Sequence, residues 1–187
     1  MATYGHATLE RNMKTYELAV YIGRFQPWHI GHQSVLQQCH SIARKTLIII
    51  GCEYAGIRTI RNPWTYAERF RMIPEGSLTA AVYDCKTDAG WKLSVEDKTV
   101  PFMLEPKEIV LVGYTKDSSS YYLRMFPEWA RHEVQPIVDI DATIIRDAYF
   151  TRGIILEKYL EPQAIDFLKK FYNTPTYKDI RESYSRH

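Results

Sequence analysis

The chain has 187 residues, 45% hydrophobic and 25% charged, with 24 Lys plus Arg against 22 Asp plus Glu for a net charge of +2. That length and mix describe one ordinary globular domain, spanning 1–187, and exclude disordered and collagen-like classes and the basic stripe of a nucleic-acid binder. Apolar runs reach only about five residues where a membrane helix needs roughly 20, and Glu10, Arg11, Lys14 and Glu17 interrupt any secretory leader, so a cytoplasmic protein with no membrane and no nucleic-acid partner is expected.

Residues 1–15 read as a loose N-terminal arm. Leu18 to Ile22 is a continuous apolar run closed by Gly23, as in a strand covered on both faces. The segment 31–45 puts Val35, Leu36, Cys39, Ile42 and Ala43 on one helical face, and Leu47 to Cys52 completes a βαβ unit. After a polar loop from Glu53 to Trp64, Thr65 and Glu68 form a capping box that starts a helix. Ala80 to Cys85 reads as a strand and Asp84 to Thr99 as a loop-rich insertion. Ile109 to Val112, ending in Gly113, and Glu133 to Val138 are two further strands, and Thr143 to Phe150 is a short helix. Pro162 opens a C-terminal helical segment over 162–187, with Ile165, Leu168, Phe171 and Tyr172 on one face. Alternating strands and helices predict an α/β fold with a mostly parallel sheet. Cys39, Cys52 and Cys85, odd in number and without C-x-x-C spacing, read as packing thiols.

The stretch Gly23-Arg24-Phe25-Gln26-Pro27-Trp28-His29-Ile30-Gly31-His32 lies between the buried strand and the amphipathic helix, where open α/β sheets bind ligands. Histidines three apart face the same way if they begin the helix. Helix-terminal N–H groups, two imidazoles and a guanidinium suit a polyphosphate. On residue types alone, a loop satisfied by its own surroundings fits equally well.

The string GRFQPWHIGH resembles the signature of the HxGH nucleotidyltransferase superfamily. Arg58-Thr59-Ile60-Arg61-Asn62-Pro63-Trp64-Thr65 with Glu68-Arg69, then Val112-Gly113-Tyr114-Thr115-Lys116-Asp117-Ser118-Ser119-Ser120-Tyr121-Tyr122-Leu123, and Asp141-Ala142-Thr143-Ile144-Ile145-Arg146, look like the later blocks of nicotinamide-nucleotide adenylyltransferases. They are most similar to the adenylyltransferase domain of bifunctional adenylyltransferase/Nudix hydrolase proteins. The resemblance implies a Rossmann-like, doubly wound parallel sheet and transfer of adenylate from ATP to nicotinamide mononucleotide, giving NAD and pyrophosphate. It assigns His29, His32 and Arg146 to catalysis. ATP would meet Gly23, Arg24, Phe25, Gln26, His29, His32, Arg61, Gly113, Thr143 and Arg146, and the acceptor nucleotide Asp88 and Trp91. Mg²⁺ would arrive with ATP, with no metal held by the protein itself, and a homo-oligomer is expected.

Two positions depart from the pattern. Asp141-Ala142 stands where Ser or Gly is usual, and Asp88 where the similar proteins carry Asn, so pyridine specificity is less firmly implied than adenylyl transfer. The alternatives are another HxGH transferase with a different phosphate acceptor, or a non-catalytic sensor of ATP or NAD. No Nudix box fits before His187, and Thr174-Pro175-Thr176-Tyr177 looks like the approach to such a domain.

Overall fold

The computed structural model describes residues 14–53, 57–114, 118–134 and 140–184. Strands β1 (Tyr16–Gly23), β2 (Ala43–Cys52), β3 (Leu78–Tyr83), β4 (Ile109–Gly113) and β5 (Ala130–Glu133) form one parallel sheet in the order β3-β2-β1-β4-β5. The helices are α1 (Ile30–Ile42), α2 (Tyr66–Phe70), α3 (Asp88–Asp97), α4 (Ala142–Arg152), α5 (Pro162–Phe171) and α6 (Pro175–Tyr184).

Side chains alternate across the sheet, so each apolar strand serves two cores. Ala19, Tyr21, Ile48, Ile50, Val110 and Val112 join the layer containing Leu36 and Cys39 of α1 and the buried residues of α4, α5 and α6. Leu18, Val20, Ile22, Leu47, Ile49, Ile109 and Leu111 face Trp91 and Val95 of α3 together with Leu123 and Phe126. This is the doubly wound Rossmann-like architecture. Winding reverses between β1 and β4, so a crevice opens beyond their C-terminal ends, Gly23 and Gly113. No helix among the described residues is long and apolar enough to cross a membrane.

The last three helices are tied by buried phenols. The Tyr149 hydroxyl donates to Leu168 O at 2.8 Å and that of Tyr177 to Tyr149 O at 3.0 Å. Gly153 ends α4 at φ +69°, a left-handed cap that favours glycine.

Several boundaries differ from the sequence reading. Ala43 opens β2 instead of ending α1, because pairing from Tyr16 with Ala43 onward gives residues 43–46 sheet partners that outweigh their mild helix propensity. The expected insertion 84–99 contains α3, capped by Thr87, whose side chain accepts from Gly90 N. It turns only the buried Val95 and the half-buried Trp91 to the sheet while Leu93 is exposed, a stripe too narrow to show as a period. β5 begins at Ala130, three residues before the expected start at Glu133, since it pairs with β4 from Val110 with Ala130 to Gly113 with Glu133, and positions 135–138 of the expected strand lie outside the described residues. The expected C-terminal helical segment contains both α5 and α6, and α6 puts Tyr177, Ile180 and Tyr184 in the core. Cys39 and Cys52 are buried thiols as expected, but Cys85 is exposed just beyond β3. The arm up to residue 13, residues 115–117 with Lys116, and residues 135–139 lie outside the described residues.

Candidate active site

The loop after β1 is built around its rings. A Cβ on Gly23 would sit 2.7 Å from the Phe25 ring, so glycine there lets Phe25 fold back beneath the strand end. Phe25 adopts φ +50°, a left-handed conformation that costs a non-glycine residue about 1–3 kcal/mol and persists only when its surroundings enforce it. Phe25, Trp28 and Tyr21 surround His32 with ring centroids at 5.0, 5.4 and 6.5 Å.

His29 is the N-cap of α1. Its Nδ1 accepts from Gly31 N at 3.1 Å, while His32 Nδ1 accepts from the His29 backbone N–H at 3.3 Å. The two rings stack at 3.6 Å. A Cβ on Gly31 would come within 2.9 Å of His29 Cε1, so that position needs glycine to keep the ring folded over the helix start. With both Nδ1 atoms engaged as acceptors, the proton of each neutral imidazole sits on Nε2, which makes two donors.

Burial, and then the neighbouring His29, hold the pKa of His32 well below its ordinary 6.5. The unfolded chain therefore takes up a proton that the folded site refuses, and stability falls as pH drops below about 6.5 while staying unaffected by this group above it. Melting temperatures measured from pH 5 to 8 should decline more steeply on the acid side for the native protein than for His32→Asn. Parallel curves would show that His32 is not the group responsible.

Arg146 rises from α4 and is buried. Its Nη1 donates to Gln26 O at 2.8 Å and its Nη2 to Thr143 Oγ1 at 3.1 Å. Asp141, where the similar sequences carry Ser or Gly, caps α4 by accepting from Thr143 N at 2.7 Å. The Gln26 side chain makes a two-way amide pair with the Trp64 backbone, at 2.9 and 3.1 Å. One loop thus carries Gly23, Arg24, Phe25, Gln26, His29 and His32, with Arg146 and Thr143 locked onto it. Gly113 closes the neighbouring strand, where a Cβ would meet Leu123 at 2.6 Å.

Arg24, expected to face ATP, is held by two carboxylates, Asp84 at 3.1 Å and Glu53 at 3.8 Å. Arg61 is exposed and lines a cavity of about 430 Å³ with Arg58, Thr59, Ile60, Ile180 and Ser183, apart from the other predicted ATP residues. Asp88 and Trp91 lie on α3, in the layer opposite α1. Asp88 accepts from the Tyr121 hydroxyl at 3.1 Å, and Trp91 packs edge-on against Tyr122 at 6.1 Å. Tyr122 in turn donates to Ile22 O at the end of β1, at 3.3 Å, which links this layer to the crevice.

Sequence reasoning missed three groups that position the site. Asp84 and Glu53 hold Arg24, and the Tyr184 hydroxyl donates to Ile60 O at 2.7 Å, tying α6 to the segment before α2. A carboxylate directly after each of β2 and β3 was the available signal for the first two. Nothing local marks Tyr184, which is 124 residues from Ile60.

The chain is 31% identical over 181 residues, 92% of its length and 95% of the other's, to a nicotinamide/nicotinic acid mononucleotide adenylyltransferase of Acinetobacter baylyi. It is 35% identical over 120 residues to a nicotinamide-nucleotide adenylyltransferase of Methanosphaerula palustris, covering 57% of this chain and 71% of that one. Its fold matches a bifunctional NMN adenylyltransferase/ADP ribose pyrophosphatase of Francisella tularensis, crystallised with AMP and Mn ion, at TM-score 0.80 and 28% identity. That match covers 91% of this chain and 53% of the Francisella one, so this chain spans about half of it. Residues 20–148, which carry the histidine loop, the switch point and Arg146, match the cytidylyltransferase-like family, and to that family the chain belongs.

Proposed function

We propose that the chain transfers the adenylyl group of ATP to nicotinamide mononucleotide, forming NAD and releasing pyrophosphate. The observation that carries this reading is the stacked His29–His32 pair and buried Arg146 fastened to one loop at the switch point, in a chain matched along nearly its whole length by a relative of that name. The acceptor phosphate attacks the α-phosphorus in line; the bond to the bridging oxygen breaks and pyrophosphate leaves with its electrons. The phosphate monoester is already a nucleophilic anion, so positioning and charge stabilisation are what the protein must supply. The Nε2–H donors of His29 and His32 hold phosphate oxygens and Arg146 neutralises charge developing on the leaving group.

The donors on the loop are imidazoles and guanidinium groups, which suit anions, and Glu53 and Asp84 are engaged by Arg24. Among the described residues no group of three or more His, Cys, Asp or Glu could hold a metal ion. A divalent cation, Mg²⁺ in this reading, would be held chiefly by the ATP phosphates and supply charge neutralisation there. The same reading takes the chain as a single nucleotidyltransferase domain working as a cytoplasmic homo-oligomer.

Incubation with Mg-ATP and a panel of acceptor phosphates, followed by chromatography, tests the assignment. NAD is the expected product, and adenylylation of pantetheine phosphate or a flavin mononucleotide in its place would overturn it. Trp91→Ala should raise the KM for nicotinamide mononucleotide and leave that for ATP nearly unchanged, with roughly 0.5–1.5 kcal/mol lost from one aromatic stack beyond the lost area. Because Trp91 also packs on Tyr122 and Phe126, the melting temperature is measured alongside. Equal damage to both substrates would make it a folding residue.

A further inference from the structure

Arg69, on the five-residue helix α2, is only 3% exposed. Burying a guanidinium is costly, and such a group normally rests on a carboxylate. Arg69 makes no ion pair among the described residues; its hydrogen bonds go to neutral acceptors. Nη1 donates to the carbonyls of Arg24 and Gly51, each at 2.7 Å, Nη2 to Cys52 Sγ at 3.1 Å and Nε to Thr65 O at 3.3 Å. Burial pushes the Cys52 thiol up, so it accepts as a neutral thiol. A single side chain thus joins the ends of β1 and β2 to α2.

The Arg24 carbonyl belongs to the histidine loop, and the next carbonyl but one, that of Gln26, is held by Arg146. Two carbonyls of the loop are therefore each bound to a buried guanidinium. Free carbonyl oxygens would repel a phosphate; these are withdrawn onto cations. The half-buried arginine of the loop contributes less, because Asp84 and Glu53 pair with the Arg24 side chain. Positive charge at the loop thus comes mainly from Arg69 and Arg146. The seat of Arg69 is itself fixed. Thr65 and Glu68 cap α2, and Glu68 receives both Arg58 Nη atoms, at 2.6 and 3.0 Å.

We propose that Arg69 is a positioning residue for adenylyl transfer, fixing the phosphate-binding loop through the Arg24 carbonyl and setting beneath it a buried positive charge that no carboxylate among the described residues pairs directly. This rests on the reaction proposed above. It is tested in the full chain with Arg69→Gln and Arg69→Lys, measuring melting temperature, kcat and KM for both substrates, and binding of inorganic pyrophosphate by calorimetry.

Arg69→Gln should lose on the order of 10²-fold in kcat, as expected when a reacting geometry slips by about 1 Å. Its pyrophosphate affinity should fall about tenfold, through the loss of one nearby positive charge acting through space and the loosening of the loop, with the acceptor KM least affected. Arg69→Lys keeps the charge but cannot span two carbonyls and a thiol, so it should recover pyrophosphate binding more than kcat. A folded Arg69→Gln with native kcat and pyrophosphate affinity overturns the proposal. So does a lower melting temperature with unchanged kinetics, or failure of both variants to fold, each of which makes Arg69 structural. If the native protein makes no NAD yet binds pyrophosphate and Arg69→Gln does not, the reaction is wrong and the role of Arg69 at the loop stands.

Discussion

Arg146→Ala is expected to lower kcat by on the order of 10²- to 10³-fold, the cost of removing one preorganised donor from developing charge, while raising the KM for ATP much less. His29→Ala should behave alike. A group that meets charge appearing only as the P–O bond breaks acts in the transition state and leaves ground-state binding nearly intact. Arg146 is held by Gln26 O at 2.8 Å and Thr143 Oγ1 at 3.1 Å, so its guanidinium is already placed before substrate arrives. Both residues also have structural work, His29 as the cap of α1 and Arg146 as the clamp on Gln26. Steady-state kinetics and thermal melting on each variant separate the contributions. A fully active His29→Ala that is merely less stable would remove the chemical reading of the histidine pair.

Trp64→Ala should destabilise the protein by about 3–5 kcal/mol, the usual cost of deleting a fully buried large aromatic. Trp64 is 2% exposed. Its ring lies 5.5 Å from that of Phe150, 6.1 Å from Tyr149 and 6.2 Å from Phe171, so it joins the segment before α2 to the aromatic layer of α4 and α5. Its backbone is the partner of Gln26, and a cavity beneath it loosens the same loop that carries His29. Chemical denaturation should therefore show a lower midpoint with an unchanged slope, and Trp64→Phe should recover most of the loss. A change under about 1 kcal/mol would mean that the layer closes over the gap, contrary to close packing.

The features legible in the order of residues are those written in local chemistry. Continuous apolar runs at 18–22, 47–52 and 109–112 are strands buried on both faces because a parallel sheet with helices on each side leaves no polar face. The Thr65–Glu68 capping box and Pro162 at the start of α5 stand where short-range hydrogen bonding and a fixed φ require them. The histidine loop was legible because its glycines, rings and donors are consecutive. The tertiary structure alone decided the ends of α1 and β5, since strand pairing with β1 and β4 sets them and periodicity carries no information about a neighbour. It also decided that α3 forms on a two-residue stripe, because Tyr122 and Phe126 arrive from the segment after β4 to cover it. Arg24 reads as a free phosphate ligand until Asp84, 60 residues on, neutralises it, and Arg69 reads as an ordinary helix cation until the carbonyls of Arg24 and Gly51 close on it. A charge takes its meaning from what desolvates and opposes it, and in this chain those groups come from other strands and helices.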